Sequence, residues 1–204
     1  MKAKLLISAI FFIALLCFMR IYPHIQKPRE GLDAETLGVF LENGDIICRM
    51  GNRIWSLYFC GVSPRDKRFS HLGIVKKDDT GIWVIHAEAG SDDGLNKVKE
   101  TGLQEFLDIA KSAGIFRIKD TVGNTSSADR IAVEASLLQG RPFDWNFDLN
   151  DESAIYCTEL LSIVLSRVVP DIKLDTVNID SLNRTIIPLD SCYNPDYFIE
   201  IAYF

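Results

Sequence analysis

The sequence lacks the cysteine pairs and basic stretches that would indicate several common functions. Its five cysteines, Cys17, Cys48, Cys60, Cys157 and Cys192, are scattered and form no Cys-x-x-Cys pair, which argues against a structural zinc site and a redox dithiol. The net charge is −6 and no dense stripe of lysine and arginine occurs, so nucleic acid is not expected as a partner. Internal repeats and low-complexity tracts are also absent. No cofactor is predicted.

The N-terminus carries the longest apolar run of the chain. Lys2 and Lys4 precede the run 5–19, and Arg20 closes it, which is the pattern of a targeting segment. The run is shorter than the roughly 20 residues of a transmembrane helix, but no small-residue cleavage site follows it. We therefore expect an uncleaved membrane anchor, and a cleaved signal peptide is the alternative.

These features divide the chain into three parts. Residues 1–22 are the predicted membrane anchor or signal segment, residues 23–36 a linker, and residues 37–204 one domain. A domain of about 170 residues is long enough to bury a full hydrophobic core. We expect the domain outside the cytoplasm, in the periplasm or cell envelope, either anchored to the membrane or secreted after cleavage. The sequence leaves the oligomeric state open.

Two apolar segments on either side of the turn 78–81 predict a β-hairpin that carries two histidines. If the turn centres on its first two residues, His71 lies opposite His86. A register shifted by two residues brings Glu88 nearest to His71 instead. Because side chains alternate along a strand, His86 and Glu88 share one face in either register.

The stretch 153–169 predicts an amphipathic helix with a cysteine near its start, because its apolar residues recur at intervals of three and four. Asp151 or Ser153 can cap this helix, and Pro170 ends it. Cys157 then lies in the first turn, where free N–H groups and the helix dipole favour a thiolate with a lowered pKa. A small core cysteine without chemistry is the other interpretation.

Thiol catalysis needs a base and a group that orients this base beside the nucleophile. The hairpin offers His71 as the base and either His86 or Glu88 as the orienting group. Polar side chains on the core-facing sides of apolar segments are costly unless they satisfy one another. We therefore expect them to meet Cys157 in the folded protein.

Five short motifs resemble those of a known enzyme family. In chain order they are 43–47 (NGDII), 69–75 (FSHLGIV), 84–87 (VIHA), 140–144 (GRPFD) and 155–161 (IYCTELL). Together they resemble the permuted papain-like amidases, the YiiX/YaeF group (C92 peptidase family) of the NlpC/P60 superfamily. The resemblance covers most of the predicted domain.

The resemblance implies an α+β fold of circularly permuted papain type, in which an antiparallel sheet packs against the helix that carries the cysteine. It implies Cys157 as the nucleophile and His71 as the general base. The third position is commonly glutamate in this family, whereas the matching residue here is His86. A neutral His86 can orient His71 but supplies no fixed negative charge, and Glu88, two residues further on, is the alternative.

Three interpretations of function follow. The first is a hydrolase or acyltransferase that acts on an amide or ester of a small-molecule, lipid or cell-wall peptide substrate through an acyl-cysteine. The second is a non-catalytic ligand-binding module that retains the fold, which the departure at His86 favours. The third is a metal site of His71, His86 and Cys157, whose ligand types suit zinc. Their separation in sequence argues against this third interpretation, so no metal ion is predicted.

Overall fold

The computed structural model describes residues 32–52, 54–90, 95–123, 125–180 and 183–204. The predicted membrane segment 1–22 lies outside these residues, as does most of the predicted linker. Within the described ranges, no helix combines the length and the apolar character needed to cross a membrane. In the described part of the linker, Leu32 is buried and the Asp33 carboxylate accepts a hydrogen bond from the N–H of Thr36. Packed structure therefore begins before residue 37.

The described chain contains eight strands, five α-helices and one 3-10 helix. The strands are β1 Ile46–Gly51, β2 His71–Asp78, β3 Gly81–Glu88, β4 Lys97–Gly102, β5 Ala110–Ile118, β6 Val177–Ile179, β7 Arg184–Ile186 and β8 Phe198–Tyr203. The helices are α1 Ala34–Gly38, α2 Ile54–Val62, α3 Leu103–Leu107, α4 Thr125–Ser136 and α5 Cys157–Val168, and the 3-10 helix is Leu189–Tyr193.

Six strands form one antiparallel sheet in the order β4-β3-β2-β1-β5-β8, and β6 pairs with β7 in a separate hairpin. Alternation along the strands gives the sheet two apolar faces. Ile46 and Leu72 face the core that contains α4 and α5, whereas Ile47 and Val75 face a smaller core with Phe106 of α3. The α+β class and the antiparallel sheet against the cysteine helix are confirmed.

The hairpin of β2 and β3 forms as predicted, but its register differs by two residues from the first expectation. Val75 pairs with Val84 and Asp78 with Gly81, so the turn centres on Asp79 and Thr80. The Asp78 carboxylate accepts a hydrogen bond from the N–H of Thr80, which closes the turn one residue later than the sequence pattern suggested.

The two hairpin strands diverge beyond the pair Ile74 and Ile85. From there β2 continues against β1, while β3 continues against β4. Gly73 lies where they separate, and a Cβ atom at this position would come within 2.3 Å of Val84 Cγ1 and 3.2 Å of His86 Cβ. Glycine at position 73 therefore allows β2 and β3 to lie close together at the end of their pairing. We call the region beyond this point, where His71 and His86 lie, the wedge.

Candidate active site

The nucleophile candidate, Cys157, is the first residue of α5. The residue before it, Tyr156, occupies the N-cap position, and the Glu159 carboxylate accepts a hydrogen bond from the Tyr156 N–H at 3.3 Å. The caps expected from the sequence were wrong, because the Asp151 carboxylate instead accepts from the Ser153 N–H in a local turn before the helix. The thiol thus lies at the helix terminus, close to the unpaired N–H groups of the first turn.

The two histidines form a hydrogen-bonded chain across the wedge. His71 Nε2 lies 2.9 Å from His86 Nδ1, and His86 Nε2 lies 3.0 Å from Thr101 Oγ1. His86 is 1% exposed, and both imidazole rings lie against the ring of Phe106. The Nε2 contact leaves Nδ1 of His71 as the ring nitrogen without a hydrogen bond among the described residues. His71 is therefore held at one nitrogen and open to a reactant at the other.

Glu88 belongs to an ion-pair cluster beside the histidine chain. Its carboxylate contacts Arg49 Nη2 at 2.5 Å and Lys99 Nζ at 3.2 Å. Arg49 is 3% exposed and also donates to the carbonyl oxygen of Phe106. Glu88 therefore pairs with Arg49 and Lys99, whereas Nε2 of His71 is hydrogen-bonded to His86.

The thiol and the first histidine share one open cavity of about 360 Å³, which we call the thiol cavity. Its walls include Cys157, His71, Glu88 and Phe143. Within the part of the chain that the structure describes, no hydrogen bond joins the thiol to the imidazole. Catalytic hydrogen bonds are often long in a free enzyme and shorten when the substrate binds. The arrangement therefore places a thiol and an imidazole in the walls of one space that a reactant can fill.

The thiol is protonated in the resting structure. Burial raises the pKa of Cys157 to about 11, and the backbone N–H groups of Leu72, Thr158 and Cys157 itself offset this only in part. The lowered pKa expected from the helix terminus was wrong, because the surrounding protein desolvates the thiolate more than the helix N–H groups stabilise it. None of the four described cysteines, Cys48, Cys60, Cys157 and Cys192, forms a disulfide.

The two imidazoles are neutral as well. Burial lowers the pKa of His71 to about 3; the positive charge of Arg49 lowers it further, and the negative charge of Glu88 acts in the opposite direction. Burial holds the pKa of His86 well below its usual value, and a charge on His71, when that ring is protonated, and the positive charges of Arg49 and Lys99 act in the same direction. These shifts favour a neutral thiol and a neutral imidazole over a thiolate–imidazolium ion pair.

A family model described as permuted papain-like amidase enzyme, YaeF/YiiX, C92 family, matches residues 41–188. The chain belongs to this family. The description of the C92 family supports a hydrolase or amidase function in general terms. No match was found among curated proteins.

The fold of this C92 family member is similar to that of a solved structure, the crystal structure of metalloprotein yiiX from Escherichia coli O157:H7. The two chains are 15% identical, with a TM-score of 0.64, and the match covers 79% of this chain and 96% of that one. At this identity the likeness concerns the fold alone.

Sequence reasoning missed three polar residues of the site. Arg49, Lys99 and Thr101 reach the histidines and Glu88 from β1 and β4. The signal for Arg49 was present, because a charged residue follows the apolar run of β1 and must find a partner if it is buried. No local pattern marks Lys99 or Thr101, since their positions depend on the pairing of β4 with β3.

Proposed function

We propose that this C92 family member is a thiol hydrolase or acyltransferase that opens an amide or ester bond through an acyl-cysteine. Cys157 is the nucleophile, His71 the general base and His86 the group that orients His71. The observation that carries the proposal is the hydrogen-bonded chain from His71 to Thr101, which fixes the base by Nε2, while His71 lines the cavity that Cys157 also lines.

The neutral resting pair determines the order of proton transfer. As Cys157 Sγ attacks the carbonyl carbon, its proton passes to Nδ1 of His71, and the same proton then goes to the leaving group as the old bond breaks. Water or another acceptor attacks the thioester in the second half-reaction, again with His71 as the base. Negative charge that develops at the carbonyl oxygen lies near the N–H groups of the α5 terminus.

Thr101 is proposed as a positioning residue that sets the tautomer of His86. When His71 is doubly protonated, its Nε2–H donates to His86 Nδ1. This requires His86 to carry its own proton on Nε2 and to donate it to Thr101 Oγ1. The hydroxyl of Thr101 thus stabilises the imidazolium of His71 indirectly, through His86.

Thr101→Val is therefore expected to lower kcat about tenfold with little change in KM, because a buried N–H of His86 loses its acceptor. Steady-state ester hydrolysis measures both constants. Thr101→Ser retains the hydroxyl and should restore most of kcat, which a purely structural role would not predict. Equal rates for Thr101→Val and the unaltered protein would remove Thr101 from the site.

A metal ion does not fit the donors that the site offers. Among the described residues, His71, His86 and Glu88 present three ligand atoms within 4.8 Å of one another. The imidazoles are hydrogen-bonded to each other and to Thr101, and the carboxylate pairs with the two cations of its cluster. An ion here would displace these bonds beside two fixed positive charges. The solved relative is called a metalloprotein, but we derive no step through a metal in this chain.

The chemistry of the thiol does not distinguish among cell-wall peptide, lipid and other acyl substrates. The residues around the thiol determine which of them binds. We propose in addition that residues 1–22 hold the domain at the membrane outside the cytoplasm, as the charged and apolar pattern of this segment indicates. Such an anchor would bring the thiol cavity close to lipid-linked or cell-wall acyl groups.

The direct test is to trap the acyl-enzyme. Purified protein incubated with p-nitrophenyl acetate and quenched in acid should gain the mass of one acetyl group, and peptide mapping should locate it on Cys157. A binding module with the same fold would release no p-nitrophenol above the buffer rate and would gain no mass. Prior treatment with iodoacetamide at high pH, where the thiol ionises, should prevent acylation.

A further inference from the structure

Cys157 lines two neighbouring spaces. One is the thiol cavity, whose walls include His71 and Glu88. The other, which we call the apolar slot, is a narrow space of about 20 Å³ lined by Phe147, Ile186 and Leu189, and Cys157, Ser70 and Phe59 are common to both spaces. Apart from the thiol and Tyr156, no ionisable side chain lines the slot.

An unusual backbone conformation holds the aromatic wall of the slot in place. Phe147 has φ 52°, in the left-handed region that phenylalanine rarely adopts. The buried Asp144 carboxylate accepts hydrogen bonds from the N–H groups of Asn146 and Asp148 at 2.7 Å each, so it fixes the chain on both sides of Phe147. The Phe147 ring then lies 5.1 Å from that of Tyr156, beside the thiol.

The position of the base decides which part of a substrate occupies each space. The leaving group must receive its proton from His71, so it has to depart on the side of the thiol cavity. The acyl group, which stays bonded to the sulfur, is then left the second space that Cys157 lines, the apolar slot.

We propose that the apolar slot binds the acyl group of the substrate, and that this group is small and apolar. The inference rests on the proposed function. The volume of the slot is close to the roughly 10–15 Å³ that one water molecule requires, so a chain of one or two carbons fits and a longer chain does not. The walls offer apolar contact and little else, so a charged acyl group would lose its hydration without compensation.

The test compares p-nitrophenyl acetate, butyrate and octanoate as substrates. The thioester forms between Cys157 Sγ and the acyl carbon, and p-nitrophenol leaves with the proton from His71. We expect the highest kcat/KM for acetate and a fall for butyrate and octanoate. Phe147→Ala should enlarge the slot and raise the butyrate-to-acetate ratio at least about tenfold. Ile186→Val, a milder change in the slot wall, should move the ratio in the same direction and by less.

The matched control is Trp145→Ala, which removes an aromatic ring from the same loop. Trp145 is 63% exposed and lies outside the slot, so its removal should leave the ratio unchanged. Acylation of Cys157 with the same ratio in the unaltered protein, Phe147→Ala and Ile186→Val would overturn the slot assignment alone. Absence of acylation by any of the three esters would overturn the proposed function. If Phe147→Ala does not fold, as circular dichroism would reveal, Ile186→Val decides.

Discussion

Cys157→Ala is expected to lower kcat/KM for p-nitrophenyl acetate at least about 10³-fold, because the thiol is a far stronger nucleophile than the serine hydroxyls that also line the thiol cavity. The loss should appear in kcat and in the absence of the acyl mass, whereas binding of the ester should change little, since the methyl group of alanine fills most of the space of the thiol. Stopped-flow release of p-nitrophenol, followed by intact mass measurement, tests both effects.

Cys60→Ser provides the control for this variant. Cys60 is a second partly exposed thiol, and it lies outside both the thiol cavity and the apolar slot. Its replacement should leave the rate and the acyl mass unchanged. An acyl mass that persists in Cys157→Ala and disappears in Cys60→Ser would show that the reactive thiol had been wrongly assigned.

His71→Ala is expected to lower kcat/KM about 10³-fold near pH 7, and to change its pH dependence. In the unaltered protein the reactive form is the neutral thiol beside the neutral imidazole. This form exists above the pKa of His71, about 3, and below the pKa of Cys157, about 11. The rate should therefore be flat from about pH 5 to about pH 9, a range that lies between these two values.

Without the imidazole, attack depends on the small fraction of thiolate. Because this fraction grows about tenfold per pH unit below the pKa of a thiol, the residual rate of His71→Ala should rise steadily with pH over the same range. A rate that changes with pH near pH 7 in the unaltered protein would instead indicate a preformed thiolate–imidazolium pair. A flat profile in both proteins would exclude His71 as the base.

The meeting of the two histidines could be anticipated from the sequence, because it depends on alternation within one hairpin. His71 and His86 remain on one face in either register. The observed register is the one for which Glu88 was expected nearest to His71, but Glu88 pairs with Arg49 and Lys99, and His71 is hydrogen-bonded to His86. The cysteine helix forms within its predicted stretch with Cys157 in the first turn, although it begins at least three residues later than the expected caps imply.

The features that the sequence did not reveal depend on long-range packing. The partner of His86, Thr101, comes from a strand whose pairing no local pattern fixes. The depth of burial around Cys157, which raises the pKa of its thiol, results from the whole core. The left-handed backbone at Phe147 follows from two hydrogen bonds to Asp144 and has no counterpart in residue preference, because phenylalanine disfavours that conformation.

The raised pKa of the Cys157 thiol affects how readily the sulfur is oxidised. Peroxides attack thiolates and react slowly with thiols, so a nucleophile that ionises only as it meets its substrate is protected from oxidation to the sulfenic acid between turnovers.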